Sequence, residues 1–308
     1  MKKTKKVLSL ILAGVMMMSL TACGNPQGEK GGQADTTASE ESVTSEGKTA
    51  EGKQYKIGVL QLVQHTALDA TNKGFIKALD DAGINYTVDQ QNAAGDQSTC
   101  QTIASKLVND GNDLILSIAT PAAQAVAGAT SDIPVLVTAV TDPAASELVE
   151  SNEVPGNNVS GTSDLTPVKE QIELLKKILP EAKKVGILYA SSESNSEIQA
   201  NMAREAIEAA GMTAVDYTVS SSNEIQTVVT SMVGNVDAIY APTDNTIAAG
   251  MTTVAMIANE NGLPTICGEE GMVNAGGLAT YGIDYFELGY LTGEQACLLY
   301  TSPSPRDC

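Results

Sequence analysis

From residue 55 onward, apolar positions along the chain follow two different periodicities. Short and nearly continuous apolar runs predict strands at 55–62, 84–89, 113–119 and 133–139. Between these runs, apolar residues recur at helical spacing, which predicts helices at 68–82, at 97–108 and from Thr120 onward. Apolar strands that alternate with helices are typical of a parallel sheet covered on both faces. The pattern therefore predicts an α/β fold.

The pattern repeats in the second half of the chain. The run at 56–60 recurs at 184–188, an offset of 128 residues, and the Ala-Gly pair at 82–83 recurs at 210–211. Residues 113–116 have a counterpart at 237–240. All βα proteins share such features to some degree, but the order and near-constant offset predict two similar, doubly wound Rossmann-like lobes. Ligands bind beyond the carboxyl ends of such strands, so two facing lobes joined by a hinge would share one cleft that can close.

The first 54 residues predict export and a membrane anchor. Lysines at the start precede an apolar stretch at 7–20, which is shorter than a membrane span of about 20 residues and fits a signal peptide at 1–22. Leu20-Thr21-Ala22-Cys23 resembles a bacterial lipobox, which predicts that Cys23 is lipidated. The alternative is an ordinary signal peptide followed by a chance cysteine. Residues 23–54 are rich in Gly, Ser, Thr and Glu, which predicts a disordered tether.

Composition narrows the possible functions. The formal net charge of −19 argues against a nucleic-acid partner, because binding to phosphates needs clustered Lys and Arg. A single histidine excludes a multi-histidine metal site, and the five cysteines lack the spacing of a zinc site. The chain also lacks the phosphate-binding loop, the nucleophile elbow and the zinc-protease motif. We expect no catalytic residue, no metal and no cofactor, so an exported enzyme is the least favoured alternative.

Seven segments carry a resemblance to one family. They are Gln61…His65…Ala67-Leu68-Asp69, Thr120-Pro121-Ala122-Ala123, Val140-Thr141-Asp142-Pro143, 155–163, 191–196, Pro242-Thr243-Asp244-Asn245-Thr246 and Tyr281-Gly282-Ile283-Asp284-Tyr285. In order and spacing these segments resemble the substrate-binding proteins of ABC importers, and in particular the family typified by tryptophan and tyrosine importers. The resemblance runs from about residue 55 to residue 296.

The resemblance implies a type I periplasmic-binding fold, in which the chain crosses between the lobes three times. We expect crossings near 162–166, near 281–285 and in the C-terminal segment. The N-terminal lobe would then comprise 55–163 and 284–296, and the C-terminal lobe 164–283. The end of the chain departs from the family pattern, because Pro303 and Pro305 cannot continue a helix. We expect 297–308 to be a non-native tail and a C-terminal element of the family to be truncated.

Each resembling segment follows a predicted strand, where a loop lining the cleft is expected. Thr120-Pro121-Ala122 and Ser194-Asn195-Ser196 also begin helices, whose free N–H groups suit a ligand carboxylate. Simple helix capping explains these residues equally well. The resemblance adds Gln64, Thr141, Thr162 and Asn245 to the expected ligand-binding residues.

Aspartates are the candidate partners of a ligand ammonium group. The candidates at strand ends or crossings are Asp142, Asp164, Asp244 and Asp284, although the first two fit turns or caps as well. His65 follows the first strand, and the sequence supplies no nucleophile or orienting partner, so we do not expect it to act as a base. The resemblance implies that His65 lines the cleft and stacks on or bonds to the ligand, and an exposed or capping loop histidine is the alternative. Tyr285 is expected to line the cleft or to fill the hinge.

These features together predict the substrate-binding component of an ABC importer. It would close on a small amino acid, which the resemblance implies is aromatic, and deliver it to a permease driven by a cytoplasmic ATPase. A branched-chain amino acid, a nucleoside or a sugar remains an alternative ligand. A surface sensor that presents its ligand to a signalling kinase is an alternative role. We expect a monomer, held at the outer face of the cell membrane or in a periplasm by its lipid anchor.

Overall fold

The computed structural model describes residues 53–301, and their side chains as far as Leu299. The signal peptide predicted at 1–22, the lipidation site Cys23, most of the predicted tether and residues 302–308 lie outside the described residues. Within the described part of the chain, no helix has the length and apolar character needed to cross a membrane.

The first lobe is a five-stranded sheet with helices on both faces. Its strands are β1 (Tyr55–Gln61), β2 (Tyr86–Asn92), β3 (Leu114–Ile118), β4 (Val135–Val140) and β5 (Val159–Ser163). Its helices are α1 (Thr66–Asp81), α2 (Gln97–Asn109) and α3 (Thr120–Ala129). The strand order is β2-β1-β3-β4-β5, and the pairs are parallel. Strands β3 and β4 are buried along their whole length, which explains their continuous apolar sequence.

The second lobe repeats this plan. Its strands are β6 (Lys184–Ala190), β7 (Thr213–Val219), β8 (Ala238–Ala241), β9 (Thr265–Cys267) and β10 (Ala279–Thr280). Its helices are α4 (Val168–Ile178), α5 (Ser194–Ala209), α6 (Ile225–Met232), α7 (Asn245–Ala249), α8 (Met251–Glu260) and α9 (Glu270–Asn274), with a 3-10 turn at Ser222–Glu224. The strand order β7-β6-β8-β9-β10 matches that of the first sheet, strand for strand. The two-lobe α/β fold predicted from the internal repeat is confirmed.

The chain passes between the sheets at two places in the described residues. It leaves the first sheet after Ser163 and enters the second lobe at α4, and it returns after Thr280 through α10 (Tyr285–Thr301). Helix α10 packs on α1, β4 and β5 of the first lobe. The third expected crossing falls on no described residue, and the proposed tail stays a prediction, since Cys297–Thr301 belong to α10 and the rest is outside the described chain.

The observed strands differ from their predicted bounds by up to three residues, and the late start of β2 has a clear cause. Strand β2 begins at Tyr86, two residues after the predicted start at Ile84. The N–H of Gly83 donates to the carbonyl of Asp80, and the N–H of Ile84 donates to the carbonyl of Leu79. These bonds close the last turn of α1, with Gly83 at a φ of 64°. Ile84 therefore belongs to the helix cap, although it is as apolar as a strand residue.

Helices α1 and α10 approach each other through glycines. A Cβ atom at Gly74 would lie 2.0 Å from the carbonyl oxygen of Phe286, and one at Gly289 would lie 1.9 Å from the carbonyl oxygen of Thr71. Any side chain at these two positions would force the helices apart. The close contact holds the start of α10, and with it Tyr285, against the first lobe.

Candidate functional site

A cavity lined by residues of both lobes lies where the carboxyl ends of the two sheets meet. The first lobe contributes His65, Ala67, Leu68, Ala139 and Thr141. The second lobe contributes Asn195, Thr243, Asp244, Asn245, Ala248 and Glu269. The two crossing segments contribute Asp164 and Tyr285.

Asp164 is buried, and only one of its two carboxyl oxygens accepts a hydrogen bond within the described residues. Its Oδ2 accepts a hydrogen bond from the Tyr285 hydroxyl at 2.9 Å. No donor among the described residues reaches its Oδ1 atom. Burial raises the pKa of Asp164 to about 6, because the ionised form loses its hydration. A cationic donor placed against Oδ1 would pair with this group and favour its ionised form.

Two further buried carboxyl groups line the cavity and also cap helices. Asp244 caps α7, where Oδ1 accepts from the Ile247 N–H at 2.7 Å and Oδ2 accepts from the N–H at the end of β6 at 2.5 Å. Glu269 caps α9 by accepting from the first N–H groups of that helix. Burial raises the pKa of both groups, to about 7 for Asp244, where the neighbouring Glu193 adds to the effect.

The cavity is therefore acidic and lacks a counter-charge of its own. No lysine or arginine is among the described residues that line it. Residues 53–301 also contain no group of three or more His, Cys, Asp and Glu side chains that could hold a metal ion. Buried carboxylates are stabilised by a paired cation, so the arrangement suits a ligand that carries its own positive charge.

A chain of hydrogen bonds reaches His65 from the second lobe. His65 Nε2 lies 3.2 Å from Oδ1 of Asn245, whose Nδ2 donates to Oε2 of Glu193 at 2.6 Å. Because Oδ1 can only accept, His65 must donate from Nε2. Its Nδ1 is then a lone-pair acceptor, and it has no partner among the described residues. Burial lowers the pKa of His65, which favours this neutral ring.

Gln199 orients two hydroxyl groups on opposite sides of the cavity. Its Nε2 donates to Oγ1 of Thr141 at 3.0 Å and to Oγ1 of Thr243, and its Oε1 accepts from the Thr243 N–H at 3.3 Å. Each hydroxyl that accepts from Gln199 still has a proton to donate, and the Thr141 side chain also interacts with the carboxyl group of Asp164. Thr141 belongs to the first lobe and Thr243 to the second, so the two hydroxyls form a neutral donor pair across the cleft.

Further contacts hold the lobes together at the rim of the cleft. Gln97 on α2 donates to the carbonyl oxygen of Ser192 at 2.7 Å, and Gln124 on α3 donates to Oγ of Ser194 at 3.4 Å. With the bonds through Asn245 and Gln199, they connect the lobes on several sides of the cavity. The molecule is thus in a closed arrangement.

The sequence model of one family, described as ABC transporter substrate binding protein, matches residues 56–307. The chain belongs to this family. It is 46% identical over 312 residues to a tyrosine-binding protein of Clostridioides difficile (strain R20291), a match that covers 100% of this chain and 87% of that one. Proteins of this family bind their solutes outside the cytoplasm, and the resemblance stated from the sequence is confirmed.

Two solved structures of substrate-binding relatives, one with a ligand and one without, help to assign the conformation of this chain. An ABC domain from Streptococcus pneumonia in complex with L-Trp is 42% identical, with a TM-score of 0.80 over 83% of this chain and 88% of that chain. A substrate-binding protein with adhesive properties from Clostridium difficile, in its ligand-free, open structure, is 47% identical, with a TM-score of 0.61 over 82% and 88%. The ligand-bound structure fits better despite its lower identity, which agrees with the closed lobes seen here.

Among the residues predicted to bind the ligand, one group meets at the cavity. It consists of His65, Thr141, Asp164, Asn195, Asp244, Asn245 and Tyr285. Each follows a strand end or lies in a crossing segment, where the topology brings loops of both lobes together. Their role in binding stays a prediction.

The other predicted residues do not line the cavity. Asp284 is exposed and caps α10, and the carboxylate of Asp142 accepts from the N–H groups of the turn that follows it. Thr162 bonds to Thr138 and Thr292 between β5 and α10. Also outside the lining are Gln64, Thr120, Pro121, Ala122, Ser194 and Ser196. Capping explains Asp142 and Asp284, whereas no side-chain cap forms at the starts of α3 and α5. A role of the remaining residues in binding stays a prediction.

Sequence reasoning missed four residues that shape the site. Glu269 lies in a Gly-Glu-Glu-Gly segment outside the resembling segments, and Thr243 and Glu193 lie in resembling segments without an assigned role. Gln199 lies one turn inside α5 and belongs to no such segment. The position of Glu269 directly after a buried strand was the available signal. Nothing in the sequence marked Gln199.

Proposed function

We propose that this protein is the substrate-binding component of an ABC importer for aromatic amino acids. It would be exported, tethered through lipidated Cys23, and would act as a monomer that hands its ligand to a membrane permease without catalysing a reaction. The single observation that carries the ligand assignment is the unpaired Oδ1 of buried Asp164 in an acidic cavity without a lysine or arginine.

In this proposal the ligand supplies what the cavity lacks. Its ammonium group pairs with Asp164, and its carboxylate accepts from the hydroxyls of Thr141 and Thr243. Its side chain lies against the apolar wall of Ala67 and Leu68. The names of the relatives support an aromatic side chain, since one is called tyrosine-binding and another holds L-Trp. A neutral sugar or nucleoside would leave Asp164 without a counter-charge, so those ligands are not favoured.

Ligand binding can be tested on the chain from Gln54 after denaturation and refolding, which removes any ligand carried through purification. We expect Tyr or Trp at about 100 times its Kd to stabilise the protein by about 2.7 kcal/mol in a thermal-shift panel of amino acids, nucleosides and sugars. The chain contains no Trp, so fluorescence of added L-Trp reports binding directly. A response to a nucleoside or sugar and to no amino acid would overturn the ligand assignment while leaving the family intact.

A further inference from the structure

The orientation of the Asn245 amide is fixed, and the proposed function gives this feature of the cavity no role. Oxygen Oε2 of Glu193 accepts from Nδ2 of Asn245, and its Oε1 accepts from the N–H and the hydroxyl of Thr246 at 2.9 and 2.8 Å. Glu193 is the acceptor in all these hydrogen bonds, and it is only 4% exposed. The amide of Asn245 therefore turns its nitrogen toward Glu193 and its oxygen toward His65.

This orientation determines which nitrogen of His65 carries the proton. Asn245 Oδ1 accepts only, so the proton is on Nε2 and the lone pair is on Nδ1. Glu193 and Asn245 belong to the second lobe and His65 to the first, so this selection exists only when the lobes are closed. On closure, the cavity gains an acceptor of defined position.

His65 lines the cavity together with apolar residues. His65 directly precedes α1, whose Ala67 and Leu68 line the cavity beside it, and Ala248 lines it from the same helix as Asn245. The ammonium group of the ligand is assigned to Asp164 in the proposed function. The donor that faces Nδ1 is then on the side chain of the ligand. Both ligands named for the relatives, tyrosine and tryptophan, carry such a donor, an O–H or an N–H.

We propose that Glu193 and Asn245 set the tautomer of His65 on closure, so that Nδ1 accepts a hydrogen bond from the side chain of the ligand and the protein discriminates against phenylalanine. The inference rests on the proposed function. Phenylalanine would bury Nδ1 without a partner, and such a loss corresponds to about 5- to 150-fold in affinity. Asn245 and Glu193 act here as positioning residues.

The tautomer can be observed directly, because His65 is the only histidine of the chain. Protein labelled with ¹⁵N-histidine and purified with a histidine-free tag gives one pair of ring nitrogens in a long-range ¹H–¹⁵N correlation spectrum. With tyrosine bound, we expect Nε2 to be protonated and Nδ1 to show the shift of a hydrogen-bonded, unprotonated nitrogen. A proton on Nδ1 in that complex would overturn the inference, and this measurement needs no variant.

Calorimetry with tyrosine, tryptophan and phenylalanine tests the selectivity. We expect phenylalanine to bind about 5- to 150-fold more weakly than tyrosine to the unaltered protein. In Asn245→Ala this ratio should fall at least severalfold and the spectrum should show both tautomers, whereas Asn274→Ala, at an exposed position of α9, should keep the ratio. Equal affinities for the three ligands in the unaltered protein would overturn the inference alone. No binding of any of them would overturn the proposed function instead.

Discussion

At the scale of single residues, Asp164 links ligand binding to stability. Its pKa of about 6 lies above the ordinary value of 3.8, so ionisation of the buried carboxyl group destabilises the ligand-free protein. The penalty is absent below about pH 4 and fully present above about pH 6, where it is on the order of 3 kcal/mol. In the proposed function, the ammonium group of the ligand offsets this penalty. A neutral side chain at position 164 would therefore favour the stability of the ligand-free protein, whereas an ionised one would favour ligand binding.

The variant Asp164→Asn should change the stability and the ligand affinity in opposite directions. At pH 7 we expect the ligand-free variant to unfold at a higher temperature than the unaltered protein, with the difference disappearing near pH 4. Its affinity for an amino acid should fall about 10- to 150-fold, because a charge-assisted bond is lost. Thermal unfolding at both pH values and calorimetry check this, with exposed Asp132→Asn as the matched control. An unchanged affinity would show that the ammonium group binds elsewhere.

The four candidate aspartates show why the site could be predicted only in part from the sequence. Asp142, Asp164, Asp244 and Asp284 all follow strands or lie in crossings, and all four are equally plausible in the sequence. What distinguishes them is whether nearby N–H groups occupy their oxygens. Such bonds depend on the conformation of turns, whereas the sequence pattern reports only which residues come after a strand.

At the scale of elements, the packing of α10 on α1 supports the site. Both helices carry glycines at the contact, and α10 begins with Tyr285, which bonds to Asp164. A methyl group at Gly289 would meet the carbonyl of Thr71, so the helices would have to separate. Separation of the two helices would also displace Tyr285, which lines the cavity, so a change in helix packing would alter the cavity.

Gly289→Ala should therefore destabilise the protein by about 1–3 kcal/mol, which lowers the Tm by about 2–4 °C for each kcal/mol. The matched control is Gly128→Ala in α3, where a Cβ would have nothing within 4 Å. We expect the control to be neutral or slightly stabilising, since alanine favours a helix. Equal Tm values for the two variants in thermal unfolding would contradict the tight contact.

The strands and helices were predictable because burial on both faces leaves a strong signature. The repeat of a Lys-x-Gly pattern in β1 and β6 predicted the two lobes, and both strands lie inside their sheets, paired on both edges. The α1–α10 contact gave no comparable signal. It joins residues more than 200 positions apart, such as Gly74 and Phe286, and a glycine on a helix indicates a close approach without naming the partner.

At the scale of the whole molecule, we expect the hydrogen bonds at the rim of the cleft to determine how long a ligand stays bound. Gln97 of the first lobe and the carbonyl of Ser192 in the second lobe join two exposed surfaces away from the cavity lining. A hydrogen bond of this kind contributes about 0.5–1.5 kcal/mol. It acts only in the closed form, so it shifts the population without touching the ligand.

Gln97→Ala should raise the dissociation rate about 2- to 12-fold. Stopped-flow fluorescence of bound L-Trp measures this rate without background, because the chain has no Trp of its own. Gln101→Ala, one turn further along the same helix and exposed, is the control and should dissociate at the rate of the unaltered protein. A rate for Gln97→Ala equal to that of the control would mean that this contact does not hold the closed form.

The matching strand orders of the two lobes have one more consequence. The residue that precedes the helix after the first strand of each lobe is His65 before α1 and Glu193 before α5. At the equivalent positions before α3 and α7, the residues are Ala119 and Asp244. These equivalent positions differ in charge, neutral in the first lobe and acidic in the second. We expect a dipolar molecule to enter the cleft with its positive end toward the second lobe.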